Sequence, residues 1–477
     1  MGKSLVKNSI ANVFYRSLNV FFPLITAIYV SRVLLVNGVG KVSYAQNIVS
    51  YFVMFAALGM PTYGTREIAK LKNQCKNKLF SELFLINAIS TAFFSGAYII
   101  LINSIDGFQK NLPLYYAVGI QLFMNVFNID WYYQGEEEYS YIAARSFVIK
   151  VLSVISIFLF VKEANDYIYY AIITALGIVG NYIFNIMHLR GRVKFTIKEL
   201  NLKKHIKPLM LLLSSSVAIE LYTAVDTTMI GAFCTDTEVG FYAYAIKIIK
   251  LVEAMISALG AILLPRLSYY YAEGKNEDFN RLVHKAEQVL LFIAVPGAVG
   301  IFLVADDLVP ILFGASFYGT INTLKILAFT LPILVINVLF GIQVLIPSGN
   351  EKEYLITVCC GAAVNIALNP IFILLYKNDG AAFASLISEL TVAISTLLYA
   401  RRIVNIKPER DYVVTLLIST VLMIIGVGSI NSLLQTGIIR LLIKVLLGVG
   451  IFSGVAILLR NCVAYEFLGI IQKRLKR

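Results

Sequence analysis

Apolar runs of about twenty residues recur along the whole of this 477-residue chain. Each run is long enough to cross the roughly 30 Å hydrocarbon core of a bilayer as one α-helix. Only 14% of the residues are charged and the mean hydropathy is +0.77, whereas a soluble domain carries about 25% charged residues. A membrane-spanning barrel would instead show short segments of alternating polarity. The sequence therefore predicts an all-α polytopic membrane protein.

The apolar runs divide into fourteen candidate transmembrane helices. They cover residues 9–32, 41–63, 80–103, 113–134, 142–161, 167–189, 208–232, 241–264, 286–305, 321–346, 354–376, 380–400, 412–434 and 438–461. Of the 41 lysines and arginines, 28 lie in loops on the side of the N-terminus and only 5 in the opposite loops. Because cytoplasmic loops carry the basic excess, both termini are predicted in the cytoplasm. The net charge of +13 is then a topology signal with some attraction to anionic lipid, and no nucleic-acid partner is expected.

An internal repeat divides the chain into two halves. The segment VGKVSYAQNIVS, Val39 to Ser50, aligns with VGFYAYAIKIIK, Val239 to Lys250, at an offset of 200. The offset spans six helices, an even number, so both copies have the same orientation. This predicts two six-helix lobes related by a pseudo-twofold axis along the membrane normal, with the substrate site between them. The predicted domains are an N-lobe (1–190), a basic cytoplasmic linker (191–207), a C-lobe (208–402), two extra helices (403–463) and a basic amphipathic tail (464–477).

Two lysines, Lys247 and Lys250, lie near the middle of the candidate span 241–264. A cation at bilayer depth costs roughly 2.5–3.5 kcal/mol on insertion scales, so these side chains must face protein, water or an anionic ligand. Residues three apart share one helical face, and the aligned residues of the first half, Asn47 and Ser50, are also polar. These aligned polar positions are therefore predicted to line a central cavity. The alternative is an ion pair inside the bundle, for instance with Glu253.

Polar stripes mark the first and the seventh candidate helices. Their members are Asn8, Asn12, Arg16 and Asn19 in the first helix, and Ser216, Glu220, Thr223 and Thr227 in the seventh. Polar faces of membrane helices point inward, so Arg16 is predicted to line an anion site. For the neutral residues, interhelical hydrogen bonds are an equal alternative, worth on average about 0.6 kcal/mol each. Three other basic residues of the spans are expected to snorkel to an interface: Arg145, Arg440 and Lys444.

Several carboxylates lie within the candidate spans. They are Asp130, Glu220, Asp226, Glu253, Glu287 and Glu389. Carboxylates in a low dielectric titrate near neutral pH, so Glu220 and Asp226 are the preferred candidates for coupling to Na⁺ or H⁺, and pairing with basic residues is the alternative. The five cysteines and three histidines have no metal-binding spacing. Apart from a coupling ion, no cofactor is predicted.

Four segments of the chain carry a family resemblance. They are 130-DWYYQGEEEY-139, 225-VDTTMIGAF-233, 341-GIQVLIPSGNEKE-353 and 365-NIALNP-370. Their order and spacing resemble those of bacterial polysaccharide flippases of the multidrug/oligosaccharidyl-lipid/polysaccharide exporter superfamily. The likeness covers nearly the whole chain.

This resemblance implies a flippase, and not an enzyme, in the bacterial cytoplasmic membrane. Such proteins move undecaprenyl-pyrophosphate-linked oligosaccharides, such as O-antigen or capsule repeat units, from the inner to the outer leaflet by alternating access. Arg16, Lys247 and Lys250 would then form a cationic cavity for the diphosphate. The polar groups around that cavity would be Asn12, Asn19, Asn47, Ser50, Ser216 and Thr223. At a cytoplasmic helix end, Asp130 and Gln134 are predicted to be structural or to hold a gate, and membrane lipids and glycan polymerase or assembly proteins are the expected partners.

Three other functions are weighed against this one. A cation-coupled multidrug antiporter of the same superfamily would favour an acidic cavity. A lipid II flippase would carry several arginines in its early helices, where this chain has Asn47 and Ser50. A membrane glycan polymerase or glycosyltransferase would need a sizeable extramembrane loop with a catalytic motif, and the sequence shows no such motif.

Overall fold

The computed structural model describes residues 2–71, 76–196, 200–405 and 409–475. Within these ranges the backbone alone is described for residues 2–21, 215, 218–219, 221–222, 258–259, 261–262, 431–432 and 470–475. All regular elements of the described ranges are helices, which confirms the all-α prediction. Chain packing divides the protein into two compact units, Met1–Gly231 and Ala232–Arg477. The predicted domain limits stay a prediction.

The first unit is built from nine helices, the last of which runs two residues past its boundary. In chain order they are α1 (Gly2–Ala57), α2 (Met60–Lys70), α3 (Lys76–Ser104), α4 (Asp106–Gln109), α5 (Leu112–Phe123), α6 (Asp130–Gly135), α7 (Tyr139–Phe160), α8 (Tyr167–Leu189) and α9 (Lys203–Phe233). A short 3₁₀ turn at Asn125–Phe127 lies between α5 and α6.

Two backbone breaks shape the start of this unit. In α1, Leu35 has φ 56° and ψ 178°, a conformation that a leucine adopts only under constraint from its surroundings. The break falls between the candidate spans 9–32 and 41–63. After α1, Gly59 has φ 73°, and an added Cβ would lie 2.7 Å from the Cβ of Leu212, so only glycine fits there. With Pro61 in the first turn of α2, which suits a helix start, the chain begins a new helix at Met60.

The prediction of one continuous fourth span at 113–134 is wrong. Helix α5 ends at Phe123 and α6 begins at Asp130. Between them, the side-chain amide of buried Asn125 donates to Thr91 Oγ1 at 3.1 Å, while Asn87 Nδ2 donates to the Asn125 carbonyl at 3.0 Å. Such side-chain partners compete with helical backbone bonds. The motif DWYYQG therefore forms a short helix of its own.

The chain that leads into α9 is tied to α3 through one fully buried carboxylate, Glu82. The backbone amide of Asn201 donates to Glu82 Oε1 at 2.9 Å. The Lys204 ammonium and His205 Nε2 lie 2.8 and 2.9 Å from Glu82 Oε2, and His205 Nδ1 lies 2.7 Å from the Tyr63 hydroxyl. This network fixes the start of α9 on the first unit.

The second unit follows in nine further helices. They are α10 (Asp236–Ala272), α11 (Asn276–Phe313), α12 (Thr320–Ala328), α13 (Thr330–Ile336), α14 (Glu351–Ala400), α15 (Arg410–Gly428), α16 (Ile430–Leu433), α17 (Ile438–Leu458) and α18 (Cys462–Leu475). A 3₁₀ turn at Ala315–Phe317 precedes α12, and a π-helix at Asn337–Leu345 continues α13. In α14, Lys377 has φ 53° and ψ −129°, which separates the candidate spans 354–376 and 380–400.

The last helices are joined to α11 by a buried charge cluster. The Asp307 carboxylate accepts from the Arg440 guanidinium at 2.7 Å and from the Lys444 ammonium at 2.7 Å. The side chains of Asp307 and Lys444 are fully buried and that of Arg440 is 9% exposed. The expectation that Arg440 and Lys444 snorkel is therefore wrong. The Asp307 carboxylate on α11 neutralises both charges inside the protein.

The described residues include nine helical segments that are long and apolar enough to cross a membrane. Large apolar side chains on their surfaces are exposed, among them Phe93 at 69%, Ile100 at 67% and Leu374 at 67%. A soluble monomer rarely exposes apolar area on this scale. The chain is thus a multi-pass membrane protein, and the number of fourteen spans stays a prediction.

Candidate functional site

The two lysines singled out in the sequence lie side by side on α10. Its N-terminus is fixed by a capping box between Thr235 and Glu238. The face of α10 that packs into the second unit carries Ala245 and Ile249. Lys247 and Lys250 point away from that face, since their positions on the helical wheel lie about 100° or more from it.

Neither lysine has a carboxylate partner in the described part of the chain. The Lys247 ammonium lies 4.5 Å from the centroid of the Tyr244 ring, a cation–π distance. Lys250 is exposed. No described carboxylate approaches either ammonium within 4.0 Å, so the described residues form no direct ion pair with Lys247 or Lys250. The Glu253 carboxylate lies near enough to Lys250 for an electrostatic interaction, but not for such a pair.

Three residues of the predicted cationic cavity and its surroundings lie outside the described side chains: Arg16, Asn12 and Asn19. Their backbone belongs to α1. Their roles stay predictions.

In the first unit, α9 contacts the segment of α1 that aligns with the two lysines. Asn47 Nδ2 donates to Thr228 Oγ1 at 2.6 Å and to the Ala224 carbonyl at 3.0 Å. Ser50 Oγ donates to Glu220 Oε1 at 2.9 Å, and the Tyr51 hydroxyl lies 2.8 Å from Thr228 Oγ1. Three of these four contacts join side chains of α1 to side chains of α9, as interhelical hydrogen bonds do in membrane bundles.

A polar cavity of about 420 Å³ opens beside this contact, wholly within the first unit. Glu220 and Ser50 line it together with Gln46, Gln121 and Thr174, and Gln46 Nε2 donates to Thr174 Oγ1 at 3.0 Å. Its other walls are apolar: Val53, Met54, Val118, Ala171, Ala175 and Ile178. The cavity thus offers one carboxylate and several neutral oxygens, with no basic side chain in its lining. This set of groups suits a proton or a small cation.

The remaining residues of the α9 stripe do not line this cavity. Ser216 and Thr223 bond to carbonyls of their own helix, at Leu212 and Glu220 respectively. Asp226 is 5% exposed. Of the two predicted coupling carboxylates, only Glu220 therefore faces the cavity.

The acidic residue of the DWYYQG motif is held in a network inside the first unit. Asp130 Oδ1 and Oδ2 accept from the two terminal nitrogens of Arg145 at 3.0 and 3.3 Å, and Asn185 donates to the same carboxylate. Arg145 is buried, so its expected snorkelling is wrong. Gln134 Oε1 accepts from Thr65 Oγ1 at 3.4 Å. The structural or gating role of Asp130 and Gln134 stays a prediction.

Sequence reasoning missed three of the polar cavity residues, Gln46, Gln121 and Thr174. They come from three helices that are far apart in the sequence, and Gln121 and Thr174 each stand in an otherwise apolar stretch. Of the three, Gln46 alone carried a usable signal, because it stands next to Asn47 in the repeated segment.

The fold and these sites define an all-helical multi-pass membrane protein that buries charged and polar groups among its long apolar helices, as is typical of transporters. The family model described as "Polysaccharide biosynthesis protein" matches residues 5–270. This is more than half of the chain, and the chain belongs to that family.

A named relative agrees with this assignment, and two solved structures share the fold. The putative O-antigen transporter of Escherichia coli (strain K12) is 23% identical over 412 residues, which cover 83% of this chain and 97% of that protein. The structure of the lipid II flippase MurJ in an inward closed conformation matches with a TM-score of 0.74 at 17% identity, over 96% of this chain and 100% of that one.

An inward-facing multidrug resistance MATE family transporter of the MOP superfamily matches with a TM-score of 0.62 at 16% identity, over 82% of this chain and 97% of that one. The two structures show the shared fold. The resemblance to polysaccharide flippases is confirmed, and the relatives are transporters rather than enzymes.

Proposed function

We propose that this protein is a flippase for undecaprenyl-pyrophosphate-linked oligosaccharides. It would carry repeat units from the inner to the outer leaflet of a bacterial cytoplasmic membrane by alternating access, with both termini in the cytoplasm. The observation that carries the proposal is the pair of cations on α10, Lys247 and Lys250, for which the described residues supply no carboxylate within 4.0 Å.

A diphosphate headgroup has to lose much of its hydration to cross the hydrocarbon core. At an effective dielectric constant of 20, two unit charges 4 Å apart attract by about 4 kcal/mol, so paired ammonium groups supply the compensation that water no longer gives. Lysine serves as a flexible point charge, which suits a headgroup that reorients during transport. In this proposal Arg16 adds a third cation, and polar side chains such as Asn12 and Asn19 bind the sugars.

We further propose that transport is coupled to H⁺ or Na⁺ through Glu220. The support is its place in the polar cavity of the first unit, where Ser50 donates to the carboxylate. Protonation of Glu220 would remove its charge and weaken that hydrogen bond, because bonds to charged acceptors are the stronger ones. A Glu220→Gln variant keeps the shape and should make transport insensitive to an imposed ion gradient, while Asp226→Asn, outside the cavity, should leave the gradient dependence intact.

Complementation in a host that lacks this protein tests the main proposal. Without it, carrier-linked repeat units should accumulate on the cytoplasmic side, and the wild-type protein should restore surface glycan. Lys247→Ala with Lys250→Ala should not restore it, whereas replacement of the exposed Lys352 by Ala should have no effect. Accumulation on the outer face would contradict the proposal and indicate a polymerase.

The related functions give different outcomes in the same host. A multidrug antiporter would lose drug resistance, and not glycan export, when the lysines are replaced. A lipid II flippase would accumulate peptidoglycan precursor in place of oligosaccharide repeat units. Either result would overturn the assignment of the substrate.

A further inference from the structure

The break at Lys377 divides α14 into two halves. These halves enclose a groove near Ala400, where the second half ends. It has a volume of about 320 Å³. Ile356 and Cys360 line it from the first half of α14. Ser395, Leu398 and Tyr399 line it from the second half, and Arg401 and Arg402 line it from the turn directly after α14. The groove therefore combines an apolar wall, two hydroxyl groups and two guanidinium groups.

The two arginines of the groove have no carboxylate partner among the residues that the structure describes. Both are exposed, and no described carboxylate lies within 4.0 Å of either guanidinium. Other basic residues of the same unit are paired: Lys285 lies 2.8 Å from Glu466, and Arg281 lies 2.7 Å from Asp278. Arg401 and Arg402 thus leave two positive charges at the mouth of the groove.

One partial contact orients the second arginine. The Arg402 guanidinium lies 5.5 Å from the centroid of the Tyr399 ring, which is within cation–π range. This contact keeps the guanidinium over the groove and leaves its N–H donors free to bind an anion, since the ring engages only the face of the group.

The apolar wall continues along the outer surface of both halves of α14. On the first half Leu355 and Ile356 are 46% and 41% exposed, and on the second half Ile394 and Leu398 are 58% and 45% exposed. A membrane helix presents such a surface to acyl chains. The positive end and the apolar length of the groove therefore match the two parts of one molecule, a lipid with an anionic head.

We propose that this groove is a binding site for an anionic phospholipid. The phosphate accepts hydrogen bonds from Arg401 and Arg402, whose planar guanidinium groups bind phosphate oxygens in pairs. The hydroxyls of Ser395 and Tyr399 contact the polar headgroup, and one acyl chain follows the wall formed by Ile356 and Leu398. The site does not depend on the identity of the transported substrate.

Lipid retention tests this site directly. The full-length protein is placed in nanodiscs of equal parts phosphatidylglycerol and phosphatidylcholine, and the retained lipid is identified by native mass spectrometry. The wild type should keep a phosphatidylglycerol adduct. Arg401→Gln with Arg402→Gln should bind it about 30-fold more weakly, which corresponds to about 1 kcal/mol for each basic residue near an anionic lipid surface.

A matched control separates this site from general surface charge. Arg66 and Lys70 are also exposed but lie beside Glu67, at 3.1 and 2.9 Å. Arg66→Gln with Lys70→Gln removes the same charge and should leave the adduct unchanged. Equal loss in both double variants, or retention of phosphatidylglycerol without Arg401 and Arg402, would overturn the proposal.

Two neighbouring cysteines offer a second readout that does not rely on the arginine variants. Cys360 lines the groove and Cys359 does not, although both are exposed. Variants that retain one of these cysteines and no other can be labelled with a membrane-permeant maleimide. Phosphatidylglycerol should slow labelling of Cys360 but not of Cys359, and phosphatidylcholine should slow neither. Equal labelling of Cys360 in both lipids would contradict the proposal.

Discussion

Two pairs of cations within the second unit have opposite surroundings. Arg440 and Lys444 are buried and share the carboxylate of Asp307, with all three charges inside the protein. Lys247 and Lys250 have no such partner in the described chain, and Lys250 is exposed. Glu199 of the predicted linker is the one side-chain carboxylate among the undescribed residues.

The difference indicates what each pair is for. A buried ion pair is strongly sensitive to loss of one partner, because the remaining charge is left without compensation. Cations that the described residues leave without a carboxylate contact contribute no comparable stability to the fold and are expected to serve a ligand. Loss of compensation at the buried pair should therefore lower stability. Removal of Lys247 and Lys250 should instead impair transport and leave stability unchanged.

The largest loss of stability is expected at the buried cluster. Asp307→Asn keeps the side-chain shape but leaves Arg440 and Lys444 uncompensated, which should cost about 3–5 kcal/mol of unfolding free energy. Unfolding in detergent micelles measures this loss. The triple variant Asp307→Leu, Arg440→Met and Lys444→Met should recover most of it, and a small effect of Asp307→Asn alone would contradict the account.

A smaller loss is expected where one buried carboxylate holds the start of α9. Glu82→Gln removes the charge that binds Lys204 and His205 and should cost about 2 kcal/mol, the scale of a hydrogen bond to a charged group. Protease cleavage of the chain before α9 should become faster. Glu67→Gln, at an exposed pair, is the control and should change neither stability nor cleavage.

Loss of a surface ion pair should lower the unfolding free energy less than loss of either buried carboxylate, Asp307 or Glu82. Lys325 lies 2.8 Å from Asp306, with side chains 22% and 49% exposed, and Lys325→Gln should cost at most about 1 kcal/mol. The effect should fall as salt is added, because exposed charges are screened. A loss as large as that of Asp307→Asn would mean that burial is not what separates the two kinds of pair.

The smallest effect on stability is expected at the pair on α10. Lys247→Gln with Lys250→Gln removes no ion pair that the structure describes, so the free energy of unfolding should be unchanged or slightly higher. The same unfolding assay measures it, with Asp307→Asn as the reference. A loss of about 2 kcal/mol or more would reveal a buried partner for these lysines.

The sequence predicted the positions of the helices better than the breaks between them. Spans of about twenty apolar residues determine where helices run, and the breaks at Leu35 and Lys377 fall between predicted spans. The interruption before Asp130 was missed, because it depends on Asn125 meeting Thr91 and Asn87 from another helix. Contacts of that kind have no local signature.

The candidate sites likewise include features that the sequence predicts and contacts that it does not. The repeat and the helical period predicted that Lys247 and Lys250 share one polar helical face, since periodicity assigns residues to one face. The partner of Lys444 could not, because Asp307 is 137 residues away and lies beyond the predicted end of its span. The cavity at Glu220 likewise needs the packing of four helices.

Transport in reconstituted liposomes tests the central claim most directly. A fluorescent oligosaccharide linked to polyprenyl diphosphate is supplied, and a membrane-impermeant quencher reports how fast it changes leaflet. Lys247→Gln with Lys250→Gln should slow transport by at least about 100-fold, because two hydrogen bonds to a charged group contribute about 1.5–3 kcal/mol each. Lys247→Arg with Lys250→Arg should retain most of the rate. Transport by the glutamine variant at the wild-type rate, in protein shown to be folded, would contradict the account.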